Sequence, residues 1–128
     1  MPIPIKLAIV GSRRFYDYDR LLYEMKLLYS QNYIVTQIIS GGARGADSLA
    51  AKYAKENNIE LIEHKPDWDK LGKRAGFARN EIIISSSDAV IAFWDGTSTG
   101  TKHSINLAIK YNKACRVCRY EDHLSADW

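Results

Sequence analysis

Short apolar runs alternate along the chain with longer stretches in which apolar side chains recur at helical spacing. Residues 7–10 and 89–93 are apolar on both faces, as in strands that helices cover on each side. Alternation of strands and helices is typical of βαβ units wound into a parallel sheet. The five predicted strands are Lys6 to Val10, Thr36 to Ser40, Glu60 to Glu63, Ala89 to Phe93 and Cys115 to Arg119.

Four helices are predicted between these strands. Leucine and methionine side chains between Leu21 and Tyr29 trace one helical face, which Asp17 or Asp19 could cap. Residues 49–54 and 105–109 mark two further helices, and residues 74–87 a fourth, although Gly76 and three consecutive isoleucines disfavour that helix. The whole pattern predicts an α/β protein of Rossmann-like build, with a doubly wound sheet of about five mainly parallel strands flanked by helices.

Length and composition limit the architecture. The chain has 128 residues, of which 46% are hydrophobic and 26% charged, as in ordinary globular proteins. We assign residues 1–120 to a single domain and residues 121–128 to a C-terminal tail. No signal peptide or membrane-spanning run is visible, which predicts a cytoplasmic protein with no membrane partner. Cys115 and Cys118 point to opposite faces of a strand, so both are interpreted as structural, and no metal site or cofactor is predicted.

Glycine-rich segments follow two of the central strands and open helices. Gly41, Gly42 and Gly45 would let backbone amides approach an anion, although a tight strand-to-helix turn explains these glycines equally well. A second segment from Asp95 to Thr101 combines two glycines with four hydroxyl groups. Because ligands of open α/β sheets bind at the carboxyl ends of the strands, both segments are expected to face one phosphate-binding crevice.

Basic and aromatic side chains fall in or beside the same segments. The net charge of +3 argues against nucleic acid as a partner, but local clustering of arginine would attract phosphate. Trp94 is the preferred aromatic for stacking on a base, and Asp95 or Asp47 could accept hydrogen bonds from ribose. The predicted ligand-binding residues are Gly11, Ser12, Arg13, Gly41, Gly42, Arg44, Gly45, Asp47, Arg79, Asn80, Trp94, Asp95, Gly96, Ser98, Thr99, Gly100, Thr101 and Lys102.

Four blocks in order carry a family resemblance. They are residues 11–13, 39–47, 75–80 and 95–101, and the similarity extends over about residues 5 to 113. Together they resemble the SLOG superfamily, particularly its YspA-like branch of small single-domain proteins. The superfamily includes the LOG phosphoribohydrolases, the DNA-processing protein DprA and sensor domains for ADP-ribose-derived signals. The resemblance implies a nucleotide or ADP-ribose-type ligand and a homodimer or higher homo-oligomer.

The resemblance leaves the reaction open. LOG enzymes pair an arginine with a glutamate to cleave a nucleotide N-glycosidic bond, and Arg79 matches that arginine. Lys102 and two neutral residues stand where the glutamate would be expected, so Glu81, Asp47 or Asp95 would have to replace it. We therefore expect a protein that senses, carries or sequesters its ligand. If a phage encodes the chain, sequestration would make it a sponge that removes an immune nucleotide signal. A hydrolase with candidate residues Arg79 and Glu81 is the alternative, and DprA-like single-strand binding is a weaker one.

Overall fold

The computed structural model describes residues 1–121. The predicted tail therefore lies outside the described residues, except for Glu121. The strands are β1 (Ile3–Gly11), β2 (Tyr33–Ser40), β3 (Glu60–Glu63), β4 (Ala89–Trp94) and β5 (Ala114–Arg119). The helices are α1 (Tyr18–Ser30), α2 (Ala46–Glu56), α3 (Trp68–Leu71), α4 (Ala75–Ser85) and α5 (Thr99–Lys110), with a 3-10 turn at Gly72–Arg74 between α3 and α4.

The five strands form one parallel sheet in the order β3-β2-β1-β4-β5. This arrangement confirms the predicted Rossmann-like α/β fold. The strands β1 and β2 begin three residues earlier than the apolar runs predicted, because residues 3–5 pair with residues 33–35. Of the two candidate caps of α1, Asp17 is the one used, since its carboxylate accepts a hydrogen bond from the Arg20 amide at 3.1 Å.

Two apolar layers cover the two faces of the sheet. One contains Leu21 and Met25 of α1 together with residues of α2, packed on strand side chains such as Ile9 and Phe93. The other contains Ile83 and Ile84 of α4 and residues of α5. Helices α1 and α2 therefore lie on one face, and α4 and α5 lie on the other.

The consecutive isoleucines do not prevent the helix over residues 75–85. Ile83 and Ile84 are buried against the sheet, and only Ile82 of the three is exposed. Burial of two large side chains outweighs the small loss of helix propensity that β-branching causes. The cysteines face opposite layers as expected, with Cys118 in the core under α1 and α2 and Cys115 packed against the other core.

The connection order places a crevice between β1 and β4. From β1 the chain proceeds to β2 and β3 on one side, and then crosses back to β4 on the other side of β1. The loops that follow β1 and β4 therefore diverge, and a crevice opens at the carboxyl ends of these strands.

None of the helices in residues 1–121 has the length and apolar character that a membrane span requires.

Candidate functional site

A cavity of about 540 Å³ occupies this crevice, and we call it the switch cavity. Ligand pockets commonly have volumes of roughly 300–1,000 Å³, so its size suits a nucleotide-sized molecule. Its wall comes from the segments after β1, β2 and β4, from the crossover before α4, and from residues of α4 and α5 themselves. It is lined by Val10, Gly11, Ser12, Arg13, Arg14, Gly41, Ala43, Arg44, Asp47, Trp68, Lys73, Gly76, Phe77, Arg79, Asn80, Ile83, Ser98, Thr99, Gly100, Thr101 and Ser104.

The start of α5 presents backbone amides to the switch cavity. The Asp95 carboxylate folds the preceding turn by accepting from the amides of Thr97 at 2.9 Å and Ser98 at 2.8 Å, which holds the pKa of Asp95 below its usual range despite partial burial. The first amide to bond back within the helix is that of Lys102, to the Ser98 carbonyl. Residues 99–101 therefore leave their amides without intrahelical partners, at the positive end of the helix dipole.

No side chain among residues 1–121 caps this helix start. The Ser98 hydroxyl contacts the Thr101 hydroxyl at 3.1 Å instead of a first-turn amide. Among the described residues, no heavy atom beyond the neighbouring backbone of α5 lies within 4 Å of the position that a Cβ on Gly100 would occupy, so the space in front of the first turn is open. Unpaired amides at an open helix start, together with two hydroxyl groups, form the kind of site that binds phosphate.

The glycine loop after β2 differs from this arrangement, because an acidic side chain already occupies it. The Asp47 carboxylate accepts a hydrogen bond from the Ala43 amide at 3.1 Å. Burial raises the pKa of Asp47, while the Ala43 amide and the charge of Arg79 act in the opposite direction. The Ala46 amide donates to the Ser12 carbonyl at 3.1 Å. Of the two predicted phosphate loops, the one that opens α5 is thus the freer to accept an anion.

Arg79 and Asn80 of α4 connect the loops around the switch cavity. The Arg79 guanidinium donates to the Gly41 carbonyl at 2.9 Å and to the Asn80 side-chain oxygen at 3.0 Å. The Asn80 amide in turn donates to the Gly100 carbonyl at 3.4 Å. Burial lowers the pKa of Arg79, although the nearby Asp47 carboxylate opposes this effect. The pair therefore fixes the glycine loop after β2 relative to the start of α5.

The wall of the switch cavity is strongly basic. Within the described part of the chain, Asp47 is its one carboxylate, opposed by five basic side chains. A second, shallower hollow adjoins it, shares Arg13 and Arg44 with it and adds Lys65. Such an excess of positive charge attracts anionic ligands. The five basic side chains of the switch cavity are Arg13, Arg14, Arg44, Lys73 and Arg79.

Twelve of the eighteen predicted binding residues line the switch cavity. The other six lie outside its wall, and each has another place in the structure. Gly42, with a φ of 70°, faces Lys65 in the adjoining hollow, and Gly45 allows the backbones of α2 and the β1 loop to meet closely. The remaining four are Trp94, Asp95, Gly96 and Lys102.

These four residues build or follow the turn before α5. The Trp94 indole donates to the Ser98 carbonyl at 3.1 Å and carries the Arg119 guanidinium over its ring. Gly96, with a φ of 91°, leaves room for the same guanidinium, and Lys102 is exposed on α5. The nucleoside position expected near Trp94 and Asp95 therefore lies off the cavity wall.

The hydrolase candidate Glu81 lies elsewhere too. It accepts a hydrogen bond from the Tyr111 hydroxyl and is exposed on α4. The cavity contains wall residues that we did not predict, notably Phe77 and Ser104. Each lies three helix positions from a predicted residue, Asn80 or Thr101, and shares its face. Helical spacing around the predicted residues was the signal that could have found them.

Comparison with known proteins groups the chain with one family. The model of the family described as "YspA, cpYpsA-related SLOG family" matches residues 5–71. The chain belongs to this SLOG family. The Gene 61 protein of Mycobacterium phage D29 is 35% identical to this SLOG protein over 115 residues, covering 82% of this chain and 89% of the phage protein.

A solved structure resembles this SLOG protein as well. It is that of DNA processing protein A from Helicobacter pylori, described for its unique single-stranded DNA binding mode, with a TM-score of 0.59 and 26% identity. The match covers 91% of this chain and 65% of the solved chain, so this SLOG protein spans about two thirds of that length. The DNA binding of this neighbour conflicts with our expectation, based on net charge, that nucleic acid is not a partner.

Proposed function

We propose that this SLOG protein binds a phosphate-bearing nucleotide or an ADP-ribose-type ligand in the switch cavity, as a sensor, carrier or sequestering protein. The observation that carries the proposal is the start of α5, whose first-turn amides open into the cavity without a side-chain cap in the described residues. A phosphate there would accept these hydrogen bonds and gain from the helix dipole. Basic side chains of the wall, such as Arg13, Arg44 and Lys73, would neutralise further phosphate charge.

The geometry supports binding better than N-glycosidic cleavage. Such cleavage needs a carboxylate close to the ribose to stabilise the oxocarbenium-like transition state or to activate water. Across the described residues, Asp47 is the single carboxylate on the wall, and its oxygen already accepts from the Ala43 amide. Sequestration requires binding alone and no reaction. A sequestering role is also compatible with a relative that a phage encodes. The cytoplasmic location and the homo-oligomeric state remain predictions.

Single-stranded DNA binding is the second candidate, and the structural neighbour favours it. The adjoining hollow extends the basic surface of the switch cavity past Lys65, and a strand of linked phosphates could follow such a surface. A free nucleotide, by contrast, would fill the switch cavity alone. The two candidates differ in how affinity depends on ligand length.

Calorimetric titration tests the proposal. ADP-ribose and AMP are compared with adenosine, which lacks phosphate, and with oligothymidylates of increasing length. We expect the phosphorylated ligands to bind and adenosine to bind at least about tenfold more weakly, because charge-assisted hydrogen bonds would be lost. Arg13→Gln should weaken nucleotide binding, whereas Lys26→Gln, which removes an exposed charge on α1 outside the cavity wall, should not.

Two outcomes would contradict the proposal. Equal affinity for adenosine and AMP would mean that phosphate is not recognised. Affinity that grows with oligonucleotide length and falls steeply with salt, without nucleotide binding, would favour the single-stranded DNA candidate instead.

A further inference from the structure

Two large aromatic side chains on the wall of the switch cavity are left open to solvent. Trp68 and Phe77 are each 52% exposed. Both belong to the crossover between β3 and β4, Trp68 at the start of α3 and Phe77 in α4. Isolated exposed apolar residues are common on protein surfaces, but two half-exposed rings on one basic cavity form a local surface that can contact a ligand.

Trp68 opens a capped helical turn and lies beside α4. The Asp67 carboxylate caps α3 by accepting from the Lys70 amide at 3.1 Å. The indole Cη2 lies 3.7 Å from the position that a Cβ on Gly76 would occupy, so the ring lies beside the first turn of α4. A ring that is already positioned loses little conformational entropy when a ligand stacks on it.

Phe77 lies beside α5. Its ring packs against the His103 imidazole of α5, with the ring centroids 4.4 Å apart and the planes tilted by 57°. Burial lowers the pKa of His103, which favours the neutral imidazole in this contact. Phe77 of α4 therefore packs on α5, the helix whose start presents the unpaired amides.

Trp68 is one of six described residues that line both the switch cavity and the adjoining hollow. A ligand that holds its phosphate at the start of α5 and extends into the adjoining hollow would contact Trp68. The alternative aromatic, Trp94, has its indole N–H bonded to Ser98 and one ring face covered by Arg119. Trp68, by contrast, keeps half of its surface exposed.

We infer that Trp68, which shares the cavity wall with Phe77, is the platform on which the nucleobase of the ligand stacks. This inference rests on the proposed function and narrows the ligand class to molecules that carry a base as well as a phosphate. Inorganic phosphate and base-free sugar phosphates would occupy the α5 site alone. Base stacking on an aromatic side chain increases affinity by about tenfold to hundredfold.

The test compares ligands that differ only in the base. AMP is titrated beside ribose 5-phosphate, ADP beside ribose 5-diphosphate, and oligothymidylate beside an abasic strand of the same length, because the base could belong to a free nucleotide or to a single strand. In Trp68→Ala, we expect affinity for the base-bearing ligand to fall by about tenfold or more while affinity for its base-free counterpart stays unchanged. Trp68→Phe should retain most of the affinity, since it keeps an aromatic face.

Tryptophan fluorescence gives a second measurement. The chain has three tryptophans, and a base stacked on Trp68 should quench part of their emission. Trp68→Phe should therefore bind AMP or the oligonucleotide with most of this quenching lost. Tyr23→Ala, which removes an exposed aromatic of α1 away from the cavity wall, serves as the control and should bind like the wild type.

The outcomes separate this inference from the proposed function. If Trp68→Ala binds AMP, ADP and oligothymidylate as tightly as the wild type, or loses base-bearing and base-free ligands equally, the platform is wrong while the phosphate site stands. If the wild type binds none of these ligands, the phosphate site fails and the platform fails with it. The ligand whose affinity falls selectively identifies the source of the base.

Discussion

Glu24 carries a carboxylate into the interior between α1 and β5, where the residue is 1% exposed. Burial alone would raise the pKa of this carboxyl, but hydrogen bonds from Arg116 and Arg20 outweigh burial and lower the pKa below its ordinary value of 4.5. Arg20 donates at 3.3 Å, and Arg116 donates through two of its guanidinium nitrogens. The buried charge is thus tolerated only because these arginines satisfy it.

Removal of Arg116 should reveal this dependence. We expect Arg116→Met to cost about 1–3 kcal/mol of unfolding free energy at pH 7, because it leaves a buried carboxylate with one partner fewer. Since the folded pKa is lowered, the stabilisation by Glu24 is complete above about pH 4.5 and is lost as the pH falls through the folded value. The difference in unfolding free energy between Arg116→Met and the wild type should therefore become smaller at acidic pH.

Urea unfolding at neutral and acidic pH measures this effect. Lys26→Met, an exposed substitution on the same helix as Glu24, is the control and should behave like the wild type at both pH values. A cost of Arg116→Met that is equal at both pH values would show that packing of the arginine side chain, rather than charge, stabilises the fold.

Sequence alone did not predict which tryptophan, Trp94 or Trp68, lies on the wall of the switch cavity. Trp94 is the last residue of β4 and Trp68 is the first residue of α3, and sequence alone favoured Trp94 for stacking. The Trp94 indole instead bonds to the turn before α5, and Trp68 lies on the cavity wall. The positions of these two rings depend on a hydrogen-bond partner four residues from Trp94 and on the path of the crossover, and neither is encoded in hydrophobic periodicity.

The elements themselves were largely predictable. All five strands were predicted. The apolar runs of β1 and β4 reflect burial on both faces, whereas the edge strands β3 and β5 are largely exposed and carry charged side chains. The strand ends were less accurate, because residues 3–5 and 33–35 pair in the sheet while several of their side chains are exposed. The helix α3 was not predicted, since four residues are too few to show a helical period.

Three helices end on an asparagine in the left-handed region. Asn32, Asn58 and Asn112 follow the last residues of α1, α2 and α5 with φ values of 70°, 53° and 55°. Glycine is the usual residue at this position, and asparagine is the side chain that tolerates it best after glycine. These asparagines therefore set where each helix stops and the chain turns toward the next strand.

Substitution of Asn112 tests this role. We expect Asn112→Val to lower the unfolding free energy by about 1–2 kcal/mol, because a β-branched side chain clashes with the backbone at positive φ. Asn112→Gly should be neutral or slightly stabilising. Thermal unfolding of both variants is compared with Asn106→Val, which changes an exposed asparagine inside α5 and should cost within about 0.5 kcal/mol. Equal losses at positions 106 and 112 would refute the backbone explanation.

Over the whole molecule, charge is small in sum but concentrated in place. The net charge of +3 concealed a cavity with five basic side chains and, in residues 1–121, one carboxylate on its wall. From the rule that ligands bind at the carboxyl ends of strands, we predicted that the loops near residues 41 and 100 face one crevice, and both loops line the switch cavity. It did not show that Asp47 already accepts an amide hydrogen bond in one of these loops, because that contact requires coordinates.

The central claim is that the start of α5 binds phosphate, and Gly100 allows it to be tested without loss of the fold. An added Cβ meets no atom within 4 Å there beyond the neighbouring helix backbone of the described residues, and an aspartate in a first helical turn interacts favourably with the helix dipole. Gly100→Asp should therefore be at least as stable as the wild type and yet repel an anionic ligand. Gly100→Asn has nearly the same shape without the charge.

The decisive measurement is calorimetric titration of ADP-ribose into the wild type, Gly100→Asp and Gly100→Asn, with thermal unfolding of each. We predict that the aspartate variant binds about tenfold or more weakly than the asparagine variant, with no decrease in melting temperature. Equal affinity in the two variants, or no binding by the wild type, would contradict the account.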